Sequence, residues 1–238
     1  MAMRWRQVAV IIGVGAAAGV LASACLPNPA NDFDDYANRT ASFRETNTAD
    51  AAPIDSQAPT QAVTGIYYSA CLSQLAINQV SRVLSFYVET SFTPDPAGGG
   101  KLSLTFTPLK LGNPCPSGTC TGAPNAVSKA NTDGQTFNIT DVPVDAKGVF
   151  QPANIPGVVA VPADCNPISH RDITINSAAI PGRFQEQQFC TKLSGNVTVP
   201  VTIVLDPSMN TCLFFAVKDG DPPPALTSDM FASNCPLN

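Results

Sequence analysis

The one histidine of the chain, His170, lies beside residue types that perform nucleophilic and acid–base chemistry. Ser169 precedes it and Asp172 follows two positions later, so the three side chains of a hydrolase triad occur together. Adjacent residues on an extended chain point to opposite faces, so these three cannot line up as nucleophile, base and orienting group. The sequence has no G-x-S-x-G elbow to present a distant serine. We therefore predict no catalytic residues and place His170 in a loop or at a strand edge.

Paired carboxylates could support the hydrolysis of sugar bonds. Most acidic residues of the folded part lie beside Pro, Gly or Asn, where turn geometry accounts for them. No two of them can be placed across a cleft from the sequence alone, so a cell-envelope hydrolase is kept as a third hypothesis only. The acidic residues concerned are Glu89, Asp141, Asp145, Asp164, Asp172, Glu186 and Asp206.

Metal binding is the next chemistry to consider. The chain has no C-x-x-C pair and a single histidine, so it lacks the ligands of a zinc site. Asp219-Gly220-Asp221 has the first residues of a calcium loop but not its later ligands or its closing Glu, and we predict a hairpin turn there. We therefore predict neither a metal nor another cofactor.

The first 24 residues have the features of a cleaved export signal. Arg4 and Arg6 form a positive start, and the uncharged stretch from Val8 to Ala24 is too short to span a membrane comfortably. It ends in Leu21-Ala22-Ser23-Ala24-Cys25, which resembles the lipobox of bacterial lipoproteins, with Ala22 where the typical motif has Leu.

This resemblance implies that Cys25 is lipidated, first with a diacylglyceryl thioether and then with an N-linked acyl chain such as palmitate. Two or three acyl chains anchor a protein stably, whereas one gives only marginal membrane binding. Leu26 follows the cysteine instead of Asp, which by the sorting rule of some Gram-negative lipoproteins implies an outer-membrane lipoprotein. Whether it faces the periplasm or the cell surface stays open. The alternative is ordinary secretion, with Cys25 in a disulfide.

Seven further cysteines follow, and in an exported chain their default state is disulfide-bonded. The short spacing around Pro116 and Gly118 predicts a local pair, Cys115–Cys120. Sequential pairing then predicts Cys165–Cys190 and Cys212–Cys235. Because seven is odd, Cys71 is left over and is predicted to be buried in the first strand. Six cysteines allow 15 connectivities, so this pairing is one choice among many.

Residues 25–60 are rich in Pro, Asn, Asp, Thr and Ala, and they are predicted to be a flexible tether. From residue 61 to 238 the pattern alternates between apolar and polar residues, as in Leu102 to Phe106, which predicts antiparallel strands with one buried face. The apolar series from Val197 to Leu205 predicts one long strand, interrupted by Pro200 as an edge or bulge. A short helix is predicted after Thr227.

Turn signals between these runs predict eight to ten strands, and hence an all-β fold, an antiparallel β-barrel or β-sandwich held by disulfides. The sequence does not decide between the two, although strand closure slightly favours a barrel. The stretch from Asn113 to Ala130 is predicted to be a long loop.

Charge and composition exclude one class of partner. The formal charge is −5, and removal of Arg4 and Arg6 with the signal makes the chain more acidic still. Without a Lys/Arg cluster the chain is not a nucleic-acid binder. We predict a membrane-anchored envelope lipoprotein with a non-catalytic β domain that binds an envelope protein or gives structural support. The second hypothesis is a barrel that carries a small apolar ligand.

Overall fold

The structure is a computed structural model that describes residues 57–76, 79–112, 122–232 and 235. In this part the chain forms eleven antiparallel strands and one short α-helix, so the predicted all-β, disulfide-bonded class is confirmed. The helix predicted near the C-terminus is also present, as α1 (Ser228–Ala232). The strands are β1 (Val63–Leu72), β2 (Leu84–Pro94), β3 (Gly100–Pro108), β4 (Phe137–Val144), β5 (Val149–Asn154), β6 (Val158–Val161), β7 (Ile173–Arg183), β8 (Gln188–Lys192), β9 (Ser194–Val199), β10 (Ile203–Leu205) and β11 (Thr211–Val217).

All eleven strands belong to one sheet with the order β10-β9-β7-β8-β11-β1-β2-β3-β4, and β5 and β6 also pair with β7. The sheet wraps around its core and brings the last strand, β11, against the first, β1. It does not close into a barrel, because no ladder joins β4 to β5 or β6 within the described strands. The domain is therefore one open, wrapped sheet.

The inner face of the sheet holds the main core, and it follows the predicted alternation. On β3, Leu102, Leu104 and Phe106 are buried while Lys101 is exposed. Phenylalanines from several strands meet inside, and the rings of Phe106 and Phe137 stack at 5.2 Å between centroids. Burial of these aromatic side chains, each worth several kcal/mol of transfer free energy, is the main force that holds the wrap together.

The outer face of β1 and its neighbours is also buried, which the alternating pattern alone does not require. Tyr68 and Leu72 point outward from β1, and they pack in a second apolar cluster with Val127 and Phe231. Val127 belongs to the connection between β3 and β4, and Phe231 belongs to α1. Two segments of chain thus cover this part of the sheet from outside, so β1 is buried on both faces.

Two tight turns at one end of the sheet use the same residues in the same way. Asp95 precedes Gly98 in the β2–β3 turn, and Asp145 precedes Gly148 in the β4–β5 turn. In each, the amide of the glycine donates to the carbonyl of the aspartate at 2.9 Å. Gly98 has φ of 97° and Gly148 has φ of 79°, conformations that glycine adopts without steric cost.

The predicted long strand from Val197 to Leu205 is wrong, because the chain folds back on itself there as the hairpin β9–β10. Pro200 lies in the turn between the strands, where its missing amide donor and fixed φ are tolerated. The reversal leaves Val199 and Val201 44% and 53% exposed, whereas a continuous buried strand would have hidden alternate residues.

The free edge of β10 is covered by one side chain. The side-chain nitrogen Nε2 of Gln74 donates to the Val204 carbonyl at 3.1 Å. The side-chain oxygen Oε1 of Gln74 accepts from the Asp206 backbone amide at 3.1 Å. These are the two kinds of bond that a neighbouring strand would make. The Gln74 carboxamide therefore replaces a strand at this edge and prevents pairing with another chain there.

The folded part begins before the predicted start at residue 61. Ala58 is buried in the inner core, and its amide donates to the Ala146 carbonyl at 3.0 Å. The chain therefore enters the domain beside the β4–β5 turn and crosses that end of the sheet to reach β1.

Candidate functional site

The two ends of the wrapped sheet differ in the length of their connections. At the tether end, the chain enters through Ala58 and the strands are joined by short turns, residues 95–99, 145–148 and 184–187. At the opposite end, the loop end, three connections are longer. Because loops on a rigid scaffold are where binding residues concentrate, the loop end is the first candidate site. It comprises the described residues of 73–83, 109–136 and 162–172, with the hairpin turn 200–202.

The loops at this end support one another through backbone hydrogen bonds. The Leu111 amide donates to the Asp164 carbonyl at 2.9 Å, which joins the β3–β4 connection to the β6–β7 connection. Within the β3–β4 connection, the Lys110 amide donates to the Asn131 carbonyl at 2.9 Å. The loop end is therefore an ordered surface in these segments.

A buried asparagine organises the loop that holds the predicted hydrolase residue types. Asn166 is 0% exposed, and its amide nitrogen donates to the Ser169 hydroxyl at 2.8 Å and to the Arg171 carbonyl at 2.6 Å. Its side-chain oxygen accepts from the Ile168 amide at 2.9 Å. The Ser169 hydroxyl oxygen is thus engaged in holding the loop.

His170 is exposed and lies in this loop with φ of 52°, as a turn position requires. The Asp172 carboxylate accepts a hydrogen bond from the Ala163 amide at 3.0 Å. Ser169 and Asp172, the two groups that a triad needs on either side of the imidazole, are therefore both used to fix backbone geometry.

Three of the seven acidic residues singled out from the sequence, Asp145, Asp172 and Asp206, stabilise turns or loops. The Asp145 carboxylate accepts from the amides of Lys147 and Val149, each at 2.8 Å. The Asp206 carboxylate accepts from the amide and hydroxyl of Ser208, and the hydroxyl bond is the main cause that lowers the pKa of Asp206. These are Asx-turn contacts, which favour the ionised carboxylate.

Glu89 forms an ion pair with Lys129 at 2.9 Å, and both side chains are solvent-exposed. Such pairs contribute little to stability. The chain turns at residues 219–221, but not as the predicted hairpin, because no strand follows β11 in the described residues to pair with it. The carboxylate of Asp219 in this turn accepts from the Lys129 amide. Within the described residues no three His, Cys, Asp or Glu side chains lie close enough to bind a metal ion.

Two disulfides are present in the described part of the chain. Cys71 on β1 is bonded to Cys212 directly opposite on β11, and Cys190 on β8 is bonded to Cys235 after α1. Disulfides form in oxidising compartments, so this is an extracytoplasmic protein. The predicted pair Cys115–Cys120 lies outside the described residues.

The predicted pairs Cys165–Cys190 and Cys212–Cys235 are wrong, and so is the prediction that Cys71 is unpaired. Sequential pairing fails because the wrap places the first strand beside the last. It fails for Cys165 and Cys190 because Cys165 belongs to the inner core and Cys190 to the outer cluster. Cys165 is a free, buried cysteine.

The Cys165 thiol is not poised for nucleophilic chemistry. Burial raises its pKa to about 12, and the carboxylates of Asp133 and Asp164 add to the rise. Since the thiolate is the reactive form, this cysteine is inert at neutral pH. It serves as a small apolar residue beneath the loop end.

An internal cavity of about 30 Å³ lies inside the wrap. Its walls include the Cys71–Cys212 disulfide, and no charged side chain lines it. The remaining lining residues are Leu84, Phe86, Phe106, Phe137, Ile155, Val159, Ile175, Ile180, Thr191, Leu193 and Phe214.

Sequence reasoning missed this cavity, and no local signal pointed to it, because eight segments distant in sequence build its walls. The difference between the two ends was visible in part. The turn signals Pro94 to Gly100 and Lys147-Gly148 predict short connections, whereas the stretch from Asn113 to Ala130 predicts a long loop.

No protein family, no curated protein and no solved structure matches this chain. None of the helices in the described part of the chain has the length and apolar character needed to cross a bilayer.

Proposed function

We propose that the protein is an outer-membrane lipoprotein, anchored through lipid on Cys25, whose β domain presents its loop end to a partner protein of the envelope. The observation that carries this proposal is the difference between the two ends of the domain. The chain joins the domain at the tether end, where the Ala58 amide donates to the Ala146 carbonyl, so the loop end lies at the opposite end of the sheet from the point of attachment.

An exposed apolar patch at the loop end supports the proposal that the partner is a protein. The β9–β10 hairpin exposes Val199, Val201 and Val204, the last by 71%. Between Asn196 and Leu205 the hairpin carries no charged residue. A partner that covers it therefore does not have to remove water from a charged group. Apolar residues grouped in this way mark interaction sites.

The anchor is tested by the substitution Cys25→Ser. We expect the protein to move from the membrane fraction to the soluble fraction, because the thioether cannot form and no other acyl chain replaces it. The measurement is fractionation of the producing cells with immunoblotting, and Cys165→Ser serves as the matched control that should stay membrane-bound. A Cys25→Ser protein that is still processed and membrane-bound would show that the anchor is not there.

The partner surface is tested by photo-crosslinking in the same cells. A photoreactive amino acid at Val201, on the hairpin turn, is expected to give a discrete higher-mass adduct. The same amino acid at Lys147, exposed in the tether-end β4–β5 turn, is expected to give none. Equal adducts at both positions, or none at Val201, would contradict a binding surface at the loop end.

A second candidate function is the carriage of an apolar ligand, and the internal cavity is the observation that favours it. Its walls are aliphatic, aromatic and disulfide groups, with Thr191 as the one polar residue. A drug-sized ligand needs a site of about 300 Å³ or more, so this cavity suits only a thin or small apolar group.

A further inference from the structure

The wrapped sheet has one side without a ladder, which we call the seam: the gap between β4 and the β5–β6 segment, residues 149–161. The turn 145–148 joins the two sides at the tether end. At the loop end they approach again, since a Cβ on Gly134 would lie 2.7 Å from Pro162. Between these points no strand pairing is present in the described residues.

Prolines lie on both sides of the seam. Pro143 lies in β4, Pro152 lies in β5, and Pro156 lies between β5 and β6. Each lacks a backbone donor, which reduces the capacity of these segments for strand pairing. The seam is therefore encoded in the sequence on both sides, and it also discourages the pairing of a foreign strand.

The internal cavity borders this seam. Phe137 lines it from β4, and Ile155 and Val159 line it from the other side of the gap. Opening the cavity at the seam separates two segments that share no ladder, so no strand hydrogen bond between β4 and the β5–β6 segment has to break. The Cys71–Cys212 disulfide forms part of the wall and ties β1 to β11.

We propose that the seam admits the end of a straight hydrocarbon chain, as in a fatty acid or a lipid, into the cavity. The inference rests on the carrier function proposed above and adds the route and the ligand class. The absence of charge among the lining residues excludes a polar head group, which stays in solvent. The volume of about 30 Å³ accepts a chain end, because roughly 10–15 Å³ of such volume holds one water-sized group.

The test uses the full chain with Cys25→Ser, so that the protein's own lipid cannot occupy the site, and decanoate as the probe. We expect decanoate to bind, with NMR cross-relaxation from its methylene protons to Phe137, Ile155 and Val159. Val159→Phe, which fills the cavity, is expected to weaken binding at least tenfold. Val158→Phe is the matched control, since Val158 is 47% exposed, and it should bind as the parent does.

Three outcomes would overturn the proposal: no binding of decanoate, equal binding by Val159→Phe, or contacts confined to the loop end near Ile168. The last would leave a carrier with another entrance, so the failure of the route and the failure of the carrier function are distinguishable. Val159→Leu is a milder filling variant, and the contacts in the parent protein decide the question if neither variant folds. A parallel titration of the acylated wild-type protein shows whether its own acyl chain competes for the site.

Discussion

Replacement of both Cys71 and Cys212 by alanine is expected to lower the free energy of unfolding by about 5 kcal/mol. The bond joins residues separated by 141 positions, so it closes most of the domain into one loop. A cross-link over so long a loop removes more conformational entropy from the unfolded chain than a short one does. The loss is comparable to the whole stability of many domains, so the variant should be largely unfolded at growth temperature.

The same loop-entropy argument ranks the expected stability losses at the other cysteines. The Cys190–Cys235 bond spans 45 positions, and its removal is expected to cost about 4 kcal/mol. Cys165→Ala removes one buried sulfur without a cross-link and is expected to cost about 1 kcal/mol. Urea denaturation under oxidising conditions measures all three variants. If the Cys71/Cys212 variant loses no more stability than Cys165→Ala, the two strands are not joined in the native protein.

Phe214→Ala is expected to destabilise the domain by about 3–5 kcal/mol, the usual cost of removing a buried phenylalanine ring. Phe214 lies on β11 and is 1% exposed. Its ring stacks on Phe189 with centroids 4.1 Å apart and meets Phe106 edge-on at 6.0 Å. Because Phe214 also lines the cavity, its truncation enlarges an existing void, which adds to the loss of transfer free energy.

Phe215→Ala is the matched control for this prediction. Phe215 is the next residue on the same strand, points to the outer face and is only partly buried. Its truncation should cost about 1–2 kcal/mol, since less apolar area is removed from the interior. Denaturation curves of the two variants, recorded side by side, give the difference. Equal losses would mean that β11 is not oriented with Phe214 toward the core.

Local patterns predicted several of the strands and turns in the described part of the chain, but not the β9–β10 hairpin. Alternation in β3 predicts Leu104 inward and Ser103 outward, because a strand's side chains alternate with period two whatever lies next to it. The aspartate-to-glycine turns were visible for the same reason, since their hydrogen bonds join residues only a few positions apart. The burial of β1 on both faces has a weaker signal, the unbroken run from Ile66 to Leu72, which lacks a charged residue.

Pairing across the sheet was beyond local patterns. Cys71 and Cys212 are opposite each other only because the meander wraps far enough to bring β11 against β1, and no residue near either cysteine encodes that distance. The alternating pattern predicts an edge or bulge at Pro200, whereas Pro200 lies in the turn between two strands, because period two cannot distinguish a continuous strand from a hairpin with matched register.

The sequence by itself determined which residues face inward along most strands and where the turns fall, since these depend on contacts a few residues long. The predicted export signal and the cysteine content indicate an oxidising compartment, and the two disulfides of the described residues agree with it. Only the tertiary structure decided the disulfide partners, the open seam, the cavity beside it and the separation of tether end from loop end. Each of these depends on which strands become neighbours, and that is decided by the packing of the whole core around distant segments.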